Sequence, residues 1–369
     1  MMLRARCRAG KRDPRPAPLV LTHHRGVTLR SEIFEQPEVV RRLLDEGWPE
    51  ARTFASNLAR ARHLTLVARG SSDNAATYGK YLFESVAGIV TASAAPSLVT
   101  RYCAAPSFAD GAVIGISQSG SSPDVAAVVN AAREDGAFTL AITNDPRSRL
   151  ARAADASFLL RCGRERAIAA TKTYTASLVA LALLASATAQ ARERSGLSLA
   201  GVVESVREAV DAESDAKRLA RRIGKSRVLV VLGRGYDYSA ALEGALKIKE
   251  LARVWAEPYS SADFEHGPLT LAERGTPVLF FASRGATLGE AKRMAASLKK
   301  SGARVYAITN DAGFAERVDD AVLLRAQVSQ ALAPIALSVV AQHVAAHVAR
   351  LHGRDPERPA GLSKVTRTL

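Results

Sequence analysis

Short, nearly unbroken apolar runs recur along the chain, separated by stretches whose apolar positions repeat at helical spacing. In the first half the runs fall at 63–68, 112–117, 138–143 and 157–160, with helical patterns at 74–87, 124–134 and 173–189. In the second half they fall at 227–232, 277–282, 304–309 and 321–324, with helical patterns at 239–254, 287–301 and 329–351. Apolar strands that do not alternate, each followed by a helix, predict parallel sheets covered on both faces. Residues 31–61 read as helices ahead of the first sheet, and 199–223 as a helical connector. The expected fold class is α/β, with two tandem doubly wound lobes at 62–195 and 225–352. Around them we expect a basic tail outside the fold (1–30), a helical segment (31–61), a connector (196–224) and a C-terminal loop (353–369).

The halves are copies. Ala141-Ile142-Thr143-Asn144-Asp145 recurs as Ala307-Ile308-Thr309-Asn310-Asp311, an offset of 166. Leu66-Val67-Ala68-Arg69-Gly70 is echoed by Val231-Leu232-Gly233-Arg234-Gly235, and Gly79 by Gly244, both at an offset of 165. Three landmarks in one order, at offsets that differ by a single residue, point to an internal duplication.

Composition narrows the function classes. Three cysteines without a CxxC pair, and no histidine at ligand spacing, give no expectation of a disulfide framework, a metal site or a cofactor, and a reducing cytoplasm fits. The longest apolar stretch, 176–189, is broken by Ser and Thr and is short for a bilayer, so no membrane role is expected. The arginine-rich start lacks the apolar region of a secretory signal. A formal charge of +15 raises nucleic acid as a partner. No helix-turn-helix, zinc-finger or aromatic RNA-binding pattern accompanies it, and a small anionic substrate accounts for part of the excess.

Chemistry is expected beyond the carboxyl ends of the strands. There, Ser117-Gln118-Ser119-Gly120-Ser121-Ser122-Pro123 joins a strand to a helix, with Pro123 suited to the first helical position and Ser122 to the N-cap. Hydroxyls, loop amides and a helix N-terminus make a place for a phosphate monoester. No lysine follows the glycine, so a triphosphate loop is not indicated. A serine-rich helix cap is the plain alternative. Gly70-Ser71-Ser72-Asp73-Asn74 reads as a second hydroxyl-rich turn at the same edge. Further on, Glu243, Lys247 and Glu250 share one helix face, a spacing that equally describes a solvated Glu–Lys stripe. Sixteen residues later His266-Gly267-Pro268 makes a sharp turn that can hold an imidazole exposed.

Ser117-Gln118-Ser119-Gly120, Glu243-Gly244-Ala245-Leu246-Lys247-Ile248-Lys249-Glu250, His266-Gly267-Pro268 and the terminal Pro359-Ala360-Gly361-Leu362-Ser363-Lys364-Val365-Thr366 together resemble the isomerase half of glucosamine-6-phosphate synthase, of the sugar isomerase (SIS) family. The resemblance spans about 31–369 and includes the duplication. It implies two SIS lobes, a homodimer and a hexose 6-phosphate or amino-sugar 6-phosphate substrate. It also implies roles. Glu250 would move a proton between C1 and C2. His266, lent by the neighbouring subunit, would open the ring, and Lys364 would form a Schiff base with a ketose. Lys247 and Glu243 would position the substrate. Phosphate and sugar contacts carry over onto Gly70, Ser71, Ser72, Ser117, Gln118, Ser119 and Ser122. Ile168 and Ala170 match the loop over the sugar, and Ser363, beside Lys364, would contact the substrate.

Residue 2 is Met, so the N-terminal cysteine nucleophile of the synthases' glutaminase is not matched, and the nearer likeness is to stand-alone deaminases. Glu265 stands where the synthases carry a basic residue, and Ala170 where they carry Ser. The expected reaction is isomerising deamination of glucosamine 6-phosphate. The alternatives are amination of fructose 6-phosphate with nitrogen supplied by another chain, action on a related ketose phosphate such as a tagatose or fructosamine phosphate, and a non-catalytic phosphosugar-binding regulator. Glu250, His266 and Lys364 argue against the regulator.

Overall fold

The computed structural model describes residues 28–104 and 106–364; the expectations placed on 1–27 and 365–369 lie outside them. Helix α1 (Leu29–Phe34) opens on a reciprocal cap, in which the Thr28 hydroxyl accepts from the Ser31 amide and Ser31 answers at the Thr28 amide. Leu29 is buried, so the fold begins inside the segment expected to be tail. Helix α2 (Gln36–Arg60) then leads to the front lobe.

The front lobe runs β1 (Leu64–Val67), α3 (Ser71–Leu82), β2 (Thr91–Ser93), α4 (Pro96–Thr100), β3 (Ala112–Ile116), α5 (Pro123–Glu134), β4 (Phe138–Thr143), α6 (Arg149–Ala153), β5 (Ala156–Leu159) and α7 (Lys172–Ala191). Helices α8 (Val202–Asp211) and α9 (Glu213–Ile223) form the connector. The rear lobe follows with β6 (Val228–Gly233), α10 (Asp237–Ala252), β7 (Trp255–Ser260), α11 (Ser261–Glu265), β8 (Pro277–Ala282), α12 (Leu288–Lys300), β9 (Arg304–Thr309), α13 (Ala312–Ala315), β10 (Asp320–Leu323) and α14 (Ala333–Leu351).

Both sheets are parallel and five-stranded, in the orders β2-β1-β3-β4-β5 and β10-β9-β8-β6-β7. Read from β7, the second order repeats the first, so the duplication seen in the residues is a duplication of topology. The matched glycines serve the same end in both lobes. A Cβ on Gly79 would lie 2.9 Å from Leu181 Cδ2, and one on Gly244 2.7 Å from Phe281 Cζ. Each lets its helix sit close on the layer beneath.

The lobes share one core. Helices α7 and α14 are buried along almost their whole length, α2 packs on α7, and α10 packs on both α14 and α3. Helix α7 is longer than the apolar pattern predicts and meets the length and composition of a membrane span, yet 89% of its apolar window is buried in the protein. It is a core helix. Cys162 is a buried free thiol.

Candidate active site

In each sheet the chain winds one way from its first strand and the other way from the next, leaving a crevice at the carboxyl ends of that pair. In the front lobe the pair is β1 and β3, so the segments after Val67 and Ile116 are neighbours. Arg69 Nε donates to Asp124 Oδ2 at 2.7 Å, tying the first segment to the start of α5. Gly70, at φ +58°, turns the chain straight into α3. Ser71 and Ser72 therefore stand on the first turn of a helix rather than in the free turn expected.

The Ser117–Ser122 loop is pinned from several sides. The Gly120 amide donates to the Ser117 carbonyl at 3.0 Å, and the Asn144 amide donates to the Gln118 carbonyl at 3.0 Å. Gly120 has φ +58°, and a Cβ there would lie 2.1 Å from Ser148 Oγ, so only glycine fits. Ser117 is buried, with its hydroxyl 3.4 Å from that of Ser122. Ser122 holds the N-cap position of α5, but its hydroxyl does not bond the helix amides. Ser119 and Gln118 are half-buried. The loop thus presents hydroxyls around a helix N-terminus, the elements of an anion cradle.

The rear lobe reaches this edge through α10. Glu243 is wholly buried and accepts from Asn74 Nδ2 of α3 at 2.8 Å. Lys247 Nζ lies 3.4 Å from Glu243 Oε1 and is hydrogen-bonded to Glu250. Lys247 is 1% exposed and Glu250 24%. A solvated stripe is excluded: two members are sealed and only Glu250 faces out. Burial raises the Glu243 carboxyl above its ordinary value, only partly countered by Lys247 and by Asn74. Burial pulls the Lys247 ammonium down, but Glu243, Glu250 and Glu165 together carry it above its ordinary value.

A residue that the sequence did not single out completes the cluster. Glu165, buried, accepts from the Thr171 amide at 2.8 Å, the Thr173 amide at 3.1 Å and the Thr173 hydroxyl at 2.8 Å. Its other partner is Lys364 Nζ at 2.5 Å. Burial alone would raise the Glu165 carboxyl; the Lys364 charge and these hydrogen bonds prevail and hold it below the ordinary carboxylate value. Glu32 of α1 steadies the same loop by accepting from the Arg166 and Ala167 amides. Ile168 and Ala170 are half-buried on that loop, and Ser363 is exposed beside Lys364.

Gly70, Ser71, Ser72, Ser117, Gln118, Ser119 and Ser122 thus gather at one sheet edge. Glu243, Lys247 and Glu250 touch it through Asn74, and Lys364 joins through Glu165, whose charge Lys247 feels. His266 is not brought in. It is exposed at the end of α11, and only its backbone amide is engaged, by the Asp263 carbonyl. Among the described residues no His, Cys, Asp and Glu group could hold a metal.

The equivalent crevice of the rear lobe, between β6 and β8, is occupied by the chain itself. Asp237 accepts from the Ser283 amide at 2.8 Å and from its hydroxyl. Gln330 accepts from the Ala286 amide at 2.8 Å and donates to the Thr287 hydroxyl at 2.6 Å.

The SIS domain model matches twice, at residues 57–187 and 222–351, one match for each lobe. The chain belongs to the SIS domain family. This SIS chain is 36% identical over 349 residues to the glutamine–fructose-6-phosphate aminotransferase (isomerizing) of Gloeobacter violaceus, covering 90% of this chain and 57% of the relative. It therefore spans little more than half the length of the curated relatives it matches. A candidate phosphosugar isomerase from Silicibacter pomeroyi has 34% identity and a TM-score of 0.78, covering 89% of this chain and all of the other. A glucosamine-6-phosphate deaminase from Thermotoga maritima shares the fold at a TM-score of 0.74 and 24% identity, over 92% of this chain and 99% of the other.

Proposed function

We propose that this SIS chain is a phosphosugar enzyme that deaminates and isomerises glucosamine 6-phosphate, giving fructose 6-phosphate and ammonia. The observation that carries the reading is the buried Glu243–Lys247–Glu250 row, open only at Glu250 and contacted by the helix that starts at the anion cradle. A carboxylate held this way is suited to relaying a proton between adjacent carbons.

In this scheme the Ser117–Ser122 loop and the first turn of α3 hold the phosphate. His266, contributed by the second subunit of a homodimer, opens the ring; its exposed position on this chain agrees with that use. Glu250 takes the C2 proton and returns it to C1, leaving an imine at C2. Water adds to that carbon, ammonia departs and the ketose remains. Lys364 rests against Glu165 and must lose a proton before its amine can add to a ketose carbonyl. A free phosphosugar substrate goes with a cytoplasmic location.

A second reading is amination of fructose 6-phosphate with ammonia delivered by another chain. What favours it is the 36% identity to an aminotransferase. The same carboxylate would serve in the opposite direction. The test is to incubate purified chain with glucosamine 6-phosphate, following ammonia and fructose 6-phosphate, and in parallel with fructose 6-phosphate and ammonium. Ammonia release supports the first reading, and amino-sugar formation alone supports the second. A chain that isomerises some other phosphosugar without exchanging nitrogen overturns both.

A further inference from the structure

A cavity of about 420 Å³ opens where α1, α9 and α14 meet. Helices α9 and α14 carry none of the residues assigned to the phosphosugar site. Its polar lining is Arg30, Glu213, Lys217, Arg221, His347 and Arg350. On α9 the residues Glu213, Lys217 and Arg221 are spaced four apart and form one stripe; on α14, His347 and Arg350 are one turn apart. The two stripes face each other across the opening, and Arg30 leans in from α1.

The charges do not balance. Glu213 is the one carboxylate, and Arg30 already holds it at 2.7 to 3.1 Å. Lys217, Arg221 and Arg350 form no ion pair among the described residues. His347 is 13% exposed, and its Nε2 is buried without a hydrogen-bond partner, 3.8 Å from Glu213 Oε1. Burial first, then Arg350, Lys217 and Arg221, hold its imidazole below the ordinary value, so all three cations act on one point. Like charges are not gathered round a concavity without cost; an anion between them removes it.

We propose that this cavity is a second anion site, taking a small phosphorylated ligand of the phosphate monoester or diphosphate class. Guanidinium groups match phosphate oxygens in pairs, and Lys217 adds a point charge. The volume falls within the range of ordinary small-molecule sites. A nucleic acid strand would call for charges strung along an open surface, whereas these converge on one hollow.

The probe is inorganic pyrophosphate, titrated calorimetrically into the full chain at constant ionic strength. Three proteins are compared: wild type, a Lys217→Ala/Arg221→Ala/Arg350→Ala variant, and a Ser119→Ala/Ser122→Ala variant of the cradle. All three changes in the first variant are at exposed positions; thermal melts check folding, and Lys217→Arg is expected to keep binding. The site predicts saturable binding that weakens at least about tenfold in the triple variant and persists in the cradle variant. The proposal is overturned by any of three results: no saturable binding, an affinity indifferent to the triple change, or binding lost only with the cradle. It is equally overturned if a short single-stranded oligonucleotide binds through these residues and pyrophosphate does not.

Discussion

Replacing Lys247 by Met tests the central cluster most directly. The side chains are of similar length, so the change removes a charge from a sealed position without opening a large void. Glu243, wholly buried, then keeps only its hydrogen bond from Asn74. Breaking a buried pair from one side costs about 3–5 kcal/mol, because the remaining charge has no counterion. At roughly 2–4 °C per kcal/mol for a domain of this size, the melting temperature should fall by roughly 6–20 °C. The deficit should depend on pH. Burial already raises the Glu243 carboxyl above its unfolded value, and losing Lys247 raises it further. A carboxyl whose folded value is raised binds its proton more tightly in the native state, so stability falls as pH climbs from the unfolded value through the folded one. The variant should therefore lie closest to wild type at mildly acidic pH and furthest from it at alkaline pH. Adding Glu243→Gln should recover part of the loss and flatten the pH dependence. Differential scanning calorimetry of wild type, both single variants and the double variant measures the coupling. A Lys247→Met protein melting within about 2 °C of wild type at every pH, or a double variant no better than the single, would refute the argument that this cluster is sealed.

Glu250→Gln should lower turnover by a factor of about 10² to 10⁴ while a phosphosugar still protects the protein thermally, read by product formation and melting shift. Gly120→Ala places a Cβ against Ser148 in a left-handed backbone, so substrate affinity should fall far more than global stability, read by KM and melting together. Asp237, pushed up to about 7 by burial despite its Ser283 hydrogen bonds, should make wild-type stability decline as pH rises from about 4 to about 7. Asp237→Asn should remove that slope, measured by thermal melts across the range. Glu165 behaves oppositely. Its lowered carboxyl adds stability that is present above the unfolded value and lost as pH falls through the folded one, so Glu165→Gln should blunt acid unfolding.

The interior strands were legible because parallel strands buried on both faces leave no polar positions to confuse the pattern. The strands that escaped are both at sheet edges. Thr91–Ser93 is three residues long and largely exposed, and Trp255–Ser260 contains Glu257 and Pro258, a composition tolerated only where one side of the strand needs no partner. Spacing placed Glu243, Lys247 and Glu250 on one face, but which face met the core depended on α3 and α14, which spacing does not reveal. The helical start at Ser71 turns on a single glycine angle. Glu165 offered no signal: a carboxylate between Arg164 and Arg166 looks like surface, and its decisive partner, Lys364, is 199 residues away. Lys364 itself was found through the resemblance of the C-terminal segment; Asn74 stood in the turn read after the first strand, but its role emerged only through its contact with Glu243.

The Gln330 side chain has a consequence for stoichiometry. By supplying an oxygen to the Ala286 amide and an amide to the Thr287 hydroxyl, it stands permanently where a guest molecule would sit in the twin of the front cradle. One lobe's crevice is thus filled by the chain's own side chain, and under the proposed function each polypeptide should take up a single phosphosugar through these paired folds.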